Sequence, residues 1–92
     1  MTENQLPSVA EAAHKYQNIL FILLKNNIIL KIVGEVLIFE QKITADIIPE
    51  NPSIVYYESF LFIYSKSSPC YGQLIFESSV QSFKYPKKVC IE

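Results

Sequence analysis

The stretch NILFILLKNNIILKIVGEVLIF (residues 18–39) decides how this chain is read. It admits three readings: a membrane span, a helix end running into a strand, or two strands around a turn. A span needs about twenty predominantly apolar residues. Lys25, Asn26, Asn27, Lys31 and Glu35 interrupt this one, which excludes the first reading.

The residues just upstream weigh on the other two. Ser8-Val9-Ala10-Glu11 matches the capping box, in which the Ser hydroxyl and the Glu carboxylate satisfy each other's backbone N–H groups. Val9, Ala12, Ala13, Tyr16, Ile19, Leu20, Leu23 and Leu24 then follow the spacing of one helical face. Glu11, His14, Lys15, Gln17 and Asn18 fall opposite. The pattern predicts a helix over residues 8–24. Asn26 or Asn27 supplies the left-handed residue at its end, and Lys25 is favourable against the dipole. Phe21 and Ile22 load the wet side with apolar bulk, so that end needs a cover from another element or a partner. The alternative stops the helix near Asn18, makes residues 19–24 a strand, and turns the chain at Lys25-Asn26-Asn27, since Asn tolerates positive φ.

Downstream the period is that of strands. Residues 28–33 and 36–44 are β-rich runs split by Gly34-Glu35, either a two-residue hairpin turn or a bulge in one bent strand. The bend is preferred, because it sets Ile32, Val36 and Ile38 on one face. Residues 49–53 form a proline-rich loop. Residues 54–64 read as the most buried strand. Ile54, Tyr56, Phe60 and Phe62 line one face, and Val55, Tyr57, Leu61 and Ile63 the other. After a loop at 65–69, residues 71–83 read as a half-exposed strand. Residues 85–88 turn, and residues 89–91 add a short edge strand.

The fold expected is therefore α+β: one N-terminal helix packed on a curved antiparallel sheet of about four strands. Residues 1–7 read as a tail, and residues 8–92 as a single domain of a size that supports one core. The central strand is apolar on both faces, yet one helix covers only one of them. A second layer from another chain is expected, which predicts a homodimer or a stable protein partner. The interface candidates are Phe21, Ile22, Tyr57, Leu61 and Ile63.

The composition argues against most chemistry. The chain has no Arg and a net charge of −1. Arg is the preferred side chain for bidentate recognition of phosphate and guanine, so nucleic-acid binding is not expected. The aromatics from Tyr56 to Tyr85 suggest a stacking platform, but such a platform also needs a basic groove. His14 falls on the polar helix face as a solvated side chain. One His and two Cys cannot close a tetrahedral zinc site without a carboxylate. No catalytic residue, metal site or cofactor is expected, and an enzyme is not indicated.

The N-terminal residues are polar and acidic, without the basic and apolar regions of a secretory leader. A cytoplasmic protein with free, partly buried thiols is expected. A Cys70–Cys90 disulfide requires the last two strands to be antiparallel neighbours, and a reducing setting argues against it. The function expected is a small non-enzymatic protein-binding module of adaptor, immunity or inhibitor type. It would act through an apolar or aromatic sheet or helix surface, and is not an integral membrane protein. The alternatives are an intracellular carrier of a small apolar ligand and an accessory subunit of a larger complex.

Overall fold

Ala12 and Tyr16 share a face in a helix, where residues four apart stack, and also in a strand, where alternate residues align. His14 separates the two cases: a helix turns it away from that face, a strand turns it inward. In the computed structural model, which describes residues 9–91, His14 points inward and is half-buried. Its Nδ1 accepts the backbone N–H of Tyr56, 42 residues away, at 3.0 Å. The segment Ala10–Tyr16 is a strand (β1), and Ile19–Leu24 is a second one (β2).

This corrects the expected N-terminal helix. Ser8 of the capping box lies outside the described residues, and Glu11 sits within β1. The physical reason lies in Phe21. The helical reading leaves it on the wet side, whereas in the strand it is fully buried. Burial of such a side chain contributes roughly 2–3 kcal/mol. That outweighs the few tenths of a kcal/mol per residue by which Ala and Lys favour a helix.

The remaining strands are β3 (Ile28–Val33), β4 (Val36–Lys42), β5 (Ser53–Tyr57), β6 (Phe60–Tyr64), β7 (Cys70–Glu77) and β8 (Ser82–Cys90). A short 3-10 turn, Ala45–Ile47, joins the halves and is the one helical element among the described residues. The architecture is thus nearly all β, not α+β. Strands β1-β2-β3-β4 form one antiparallel meander, and β5-β6-β7-β8 form another with the same order.

Tight turns set the phase of the strands within most hairpins. Gln17-Asn18 joins β1 to β2, and Lys25-Asn26-Asn27 joins β2 to β3 with Asn27 at φ 69°. Gly34-Glu35 is a hairpin between the paired Val33 and Val36, with Gly34 at φ 63°, and not the preferred bend. The run 54–64 is likewise no single strand. Glu58 and Ser59, at φ 48° and 75°, turn it between the paired Tyr57 and Phe60. Positive φ at both central residues matches the turn that suits the twist of paired strands. Paired residues flanking such a turn face the same side. Tyr57 and Phe60 therefore both point outward, while Tyr56, Leu61 and Ile63 point inward. A longer, four-residue turn over residues 78–81, with Gln81 at φ 50°, divides the expected strand at 71–83 into the end of β7 and the start of β8. Strand β8 then continues through residues 85–88, where a turn was expected, with a register shift opposite Leu74 and Tyr85 at φ 57°.

The two sheets share one core. Phe21, Leu23 and Ile29 come from the first, and Ile54, Leu61, Ile63, Leu74 and Phe83 from the second. Both lateral edges are tied by side chains. At one, His14 of β1 holds β5. At the other, Gln41 of β4 holds Phe83 of β8. The 3-10 turn closes one end by laying the Ile47 backbone directly over Gly72, where any Cβ would collide with it. The second, layered face that the sequence assigned to another chain is thus supplied within this chain.

Candidate functional site

Alternation puts every second residue of a strand outside, and on both sheets the outside is largely apolar. On the second sheet the register aligns Tyr57, Phe60, Ile75 and Lys84 in one cross-strand row. Val55, Phe62, Gln73 and Lys87 form the next row, and Tyr71 pairs with Val89 in a third. Phe60 stacks on Phe62 at 5.9 Å, and Phe62 meets Tyr71 edge-on at 6.0 Å. Tyr57 is 60% exposed, Phe60 37% and Tyr64 41%. The surface is a continuous aromatic platform that runs into two lysines at the β8 edge. Lys84 is 3.9 Å from Glu77 across two exposed side chains. Exposed pairs of this kind hold little energy, so both lysines stay available to solvent and partner.

On the first sheet the outer rows are Lys15, Leu20, Ile32 and Leu37, and then Ala13, Ile22, Leu30 and Glu40. Lys42 pairs with Ile28 in the row beyond. Here the face is aliphatic, with charges only at its two edge strands.

The five sequence-derived interface candidates divide between core and surface. Phe21, Leu61 and Ile63 have no exposed surface to offer. Ile22 lies on the aliphatic outer face, and Tyr57 on the aromatic one. Sequence reasoning missed Phe60, Phe62, Tyr64 and Tyr71 as partners of Tyr57. Reading Glu58-Ser59 as mid-strand put Phe60 and Phe62 on the opposite face from it.

Inside, Lys31 is the buried exception, 8% exposed between Phe21 and Phe39 on the neighbouring strands. Its Nζ lies 4.1 Å from the centre of the Phe76 ring. Among the described residues no carboxylate lies within ion-pair distance of it. Burial pushes the Lys31 ammonium below its ordinary pKa. The contact with the ring face partly offsets this desolvation.

Cys70 and Cys90 face each other across β7 and β8 and are joined by a disulfide, which corrects the expectation of free thiols. The expected condition, adjacent antiparallel final strands, is met. Closing a loop with a sequence separation of 20 contributes roughly 3 kcal/mol. Beside the disulfide, between the 3-10 turn and the start of β7, lies a shallow cleft of about 100 Å³ with Asp46 and Lys88 in its wall. Among the described residues no three His, Cys, Asp or Glu side chains gather in a way that could hold a metal ion. Nor is any helix there long and apolar enough to cross a membrane.

No family model, curated protein or solved structure matches this chain. The functional reading therefore rests on the surfaces themselves.

Proposed function

We propose that the protein is a small non-enzymatic binding module whose working surface is the aromatic outer face of the second sheet. One observation carries this reading. Tyr57, Phe60, Phe62, Tyr64 and Tyr71 share one solvent-facing side, and the rows of Tyr57–Phe60 and of Phe62 end in Lys84 and Lys87. Aromatic anchors are enriched where proteins bind proteins. The lysine margin favours an apolar partner surface bordered by acidic groups. An adaptor or inhibitor role fits such a surface.

The carrier reading has less support. Ring pairs such as Phe21–Tyr56 and Phe39–Phe76 occupy the interior. The cleft of about 100 Å³ is well below the roughly 300 Å³ at which small-molecule sites begin. The cytoplasmic expectation implies free thiols, and a Cys70–Cys90 disulfide favours an oxidising setting instead.

Photo-crosslinking tests the reading. A photoreactive aromatic residue in place of Tyr57 is expected to form an adduct with a protein in the native host. Phe60→Ser, and separately Lys84→Glu with Lys87→Glu, are expected to lower the yield. Adducts only with nucleic acid or lipid, or a protein adduct indifferent to both changes, sink it.

A further inference from the structure

The aliphatic face of the first sheet lies on the far side of the molecule from the aromatic platform, and its charges sit at opposite edges. Lys15 is on β1 at one margin; Glu40, one row further along the strands, is on β4 at the other, with Lys42 in the row beyond it. Lys15 and Glu40 are exposed, and among the described residues neither takes part in an ion pair. Between them run Leu20, Ile22, Leu30 and Ile32.

We propose that this face is the interface of a symmetric homodimer, with a two-fold axis parallel to the strands. The operation lays β1 of one copy over β4 of the other, and keeps the rows aligned. Glu40 of each copy then comes down over the small side chain of Ala13, which leaves room for it. Lys15 lies one row away, about 7 Å along the strand at about 3.3 Å per residue. Two sheets stacked roughly 10 Å apart leave that distance within reach of a Lys and a Glu extending towards each other. Both pairs close at once because the interface is isologous, and the aliphatic rows interdigitate between them. Leu37 and Ile38, 50% and 42% exposed at the β4 margin, gain cover in the same step.

The area is modest. Four strands of about six residues present roughly 400 Å² in projection. That is below the roughly 800 Å² per partner of a standard interface. The dimer expected is of micromolar rather than nanomolar affinity. It carries one aromatic platform on each of its two outer surfaces, so it binds divalently. The proposal extends the reading of the protein as a binding module but uses the opposite sheet.

Sedimentation equilibrium over about 1–200 µM, a range that brackets micromolar affinity, tests it on the full chain with the disulfide intact. Lys15→Glu and Glu40→Lys are each expected to weaken association at least tenfold, with circular dichroism and thermal midpoint unchanged. The double exchange restores it. Ile22→Lys abolishes it. A monomer throughout the range overturns the proposal. So does a dimer that either single charge reversal leaves intact, or one lost on Phe60→Ser instead. Because Tyr57 crosslinking reads the other face, an intact dimer without adducts counts against the aromatic site alone, and adducts from a strict monomer count against the dimer alone.

Discussion

The side-chain amide of Gln41 stands in for a neighbouring strand at Phe83. Its Nε2 donates to the Phe83 carbonyl at 2.9 Å, and its Oε1 accepts the Phe83 N–H at 2.8 Å. Both backbone groups of a nearly buried residue are thereby satisfied across the gap between the sheets. Gln41→Leu removes both partners at once. Two lost hydrogen bonds with their donor and acceptor left partly buried cost about 2–4 kcal/mol. Gln41→Glu keeps an acceptor for the N–H but sets a second acceptor against the carbonyl, so it too is expected to destabilise. Urea denaturation reads both. A Leu variant within about 0.5 kcal/mol of the parent, the usual range of an unimportant surface change, shows that the bracket holds nothing together.

Lys31 makes stability depend on pH in a direction that can be worked out. Burial holds its pKa in the folded chain below the value in the unfolded one. The folded state therefore disfavours the proton, and its penalty is complete at pH values below the folded pKa. As pH rises through the folded pKa towards the unfolded one, the penalty is relieved and stability increases. Lys31→Met keeps an apolar stem of similar length, loses the ammonium over the Phe76 ring, and cannot titrate. The stability of the parent relative to this variant is expected to rise with pH on the alkaline side as the ordinary lysine range, about 10.4, is approached, with the variant at least as stable at neutral pH. Comparing the two proteins cancels the other titrating groups. A difference that stays flat across that window refutes the effect.

Gly72 is held by close approach and not by φ. A Cβ there would collide with the Ile47 carbonyl and side chain. The obstacle includes backbone, so the 3-10 turn has to lift off β7. Gly72→Ala is expected to cost about 1–3 kcal/mol, the range of overpacking in a core. Faster amide exchange is expected over residues 43–48. Gly34→Ala separates the two roles of glycine. It meets no neighbour within 4 Å but has to adopt φ near 63°, so it is expected to weaken its hairpin without loosening that turn. Unchanged exchange over 43–48 in the Gly72 variant contradicts this account.

Several elements were legible in the sequence because one residue carried a local signal. Asn27 takes the positive φ that the sequence assigns to Asn26 or Asn27, and Gly34 takes it in a hairpin where a bend is the preferred reading. Other turns had no such signal. Gln17, Glu58, Ser59 and Gln81 all hold positive φ without being Gly or Asn. Each local cost is offset by the strands that the turn brings together. Reading through Glu58-Ser59 carried a one-residue phase error into β6 and exchanged core for surface. That phase groups Leu61 and Ile63 with Tyr57 and splits the aromatic platform between two faces.

The amino-acid sequence by itself determined that no membrane helix is encoded between residues 18 and 39, that the chain has apolar matter for a core, and that more of it exists than one wet-faced sheet needs. These are sums over composition and do not depend on which residue meets which. Only the tertiary structure decided that residues 10–16 are a strand. Helix and strand periods agree at Ala12 and Tyr16 and differ at His14, whose partner is the Tyr56 N–H. A local pattern can rank two backbone conformations within tenths of a kcal/mol per residue. Burial of Phe21 and a bond spanning 42 residues outweigh that ranking, and both exist only once the second sheet is in place.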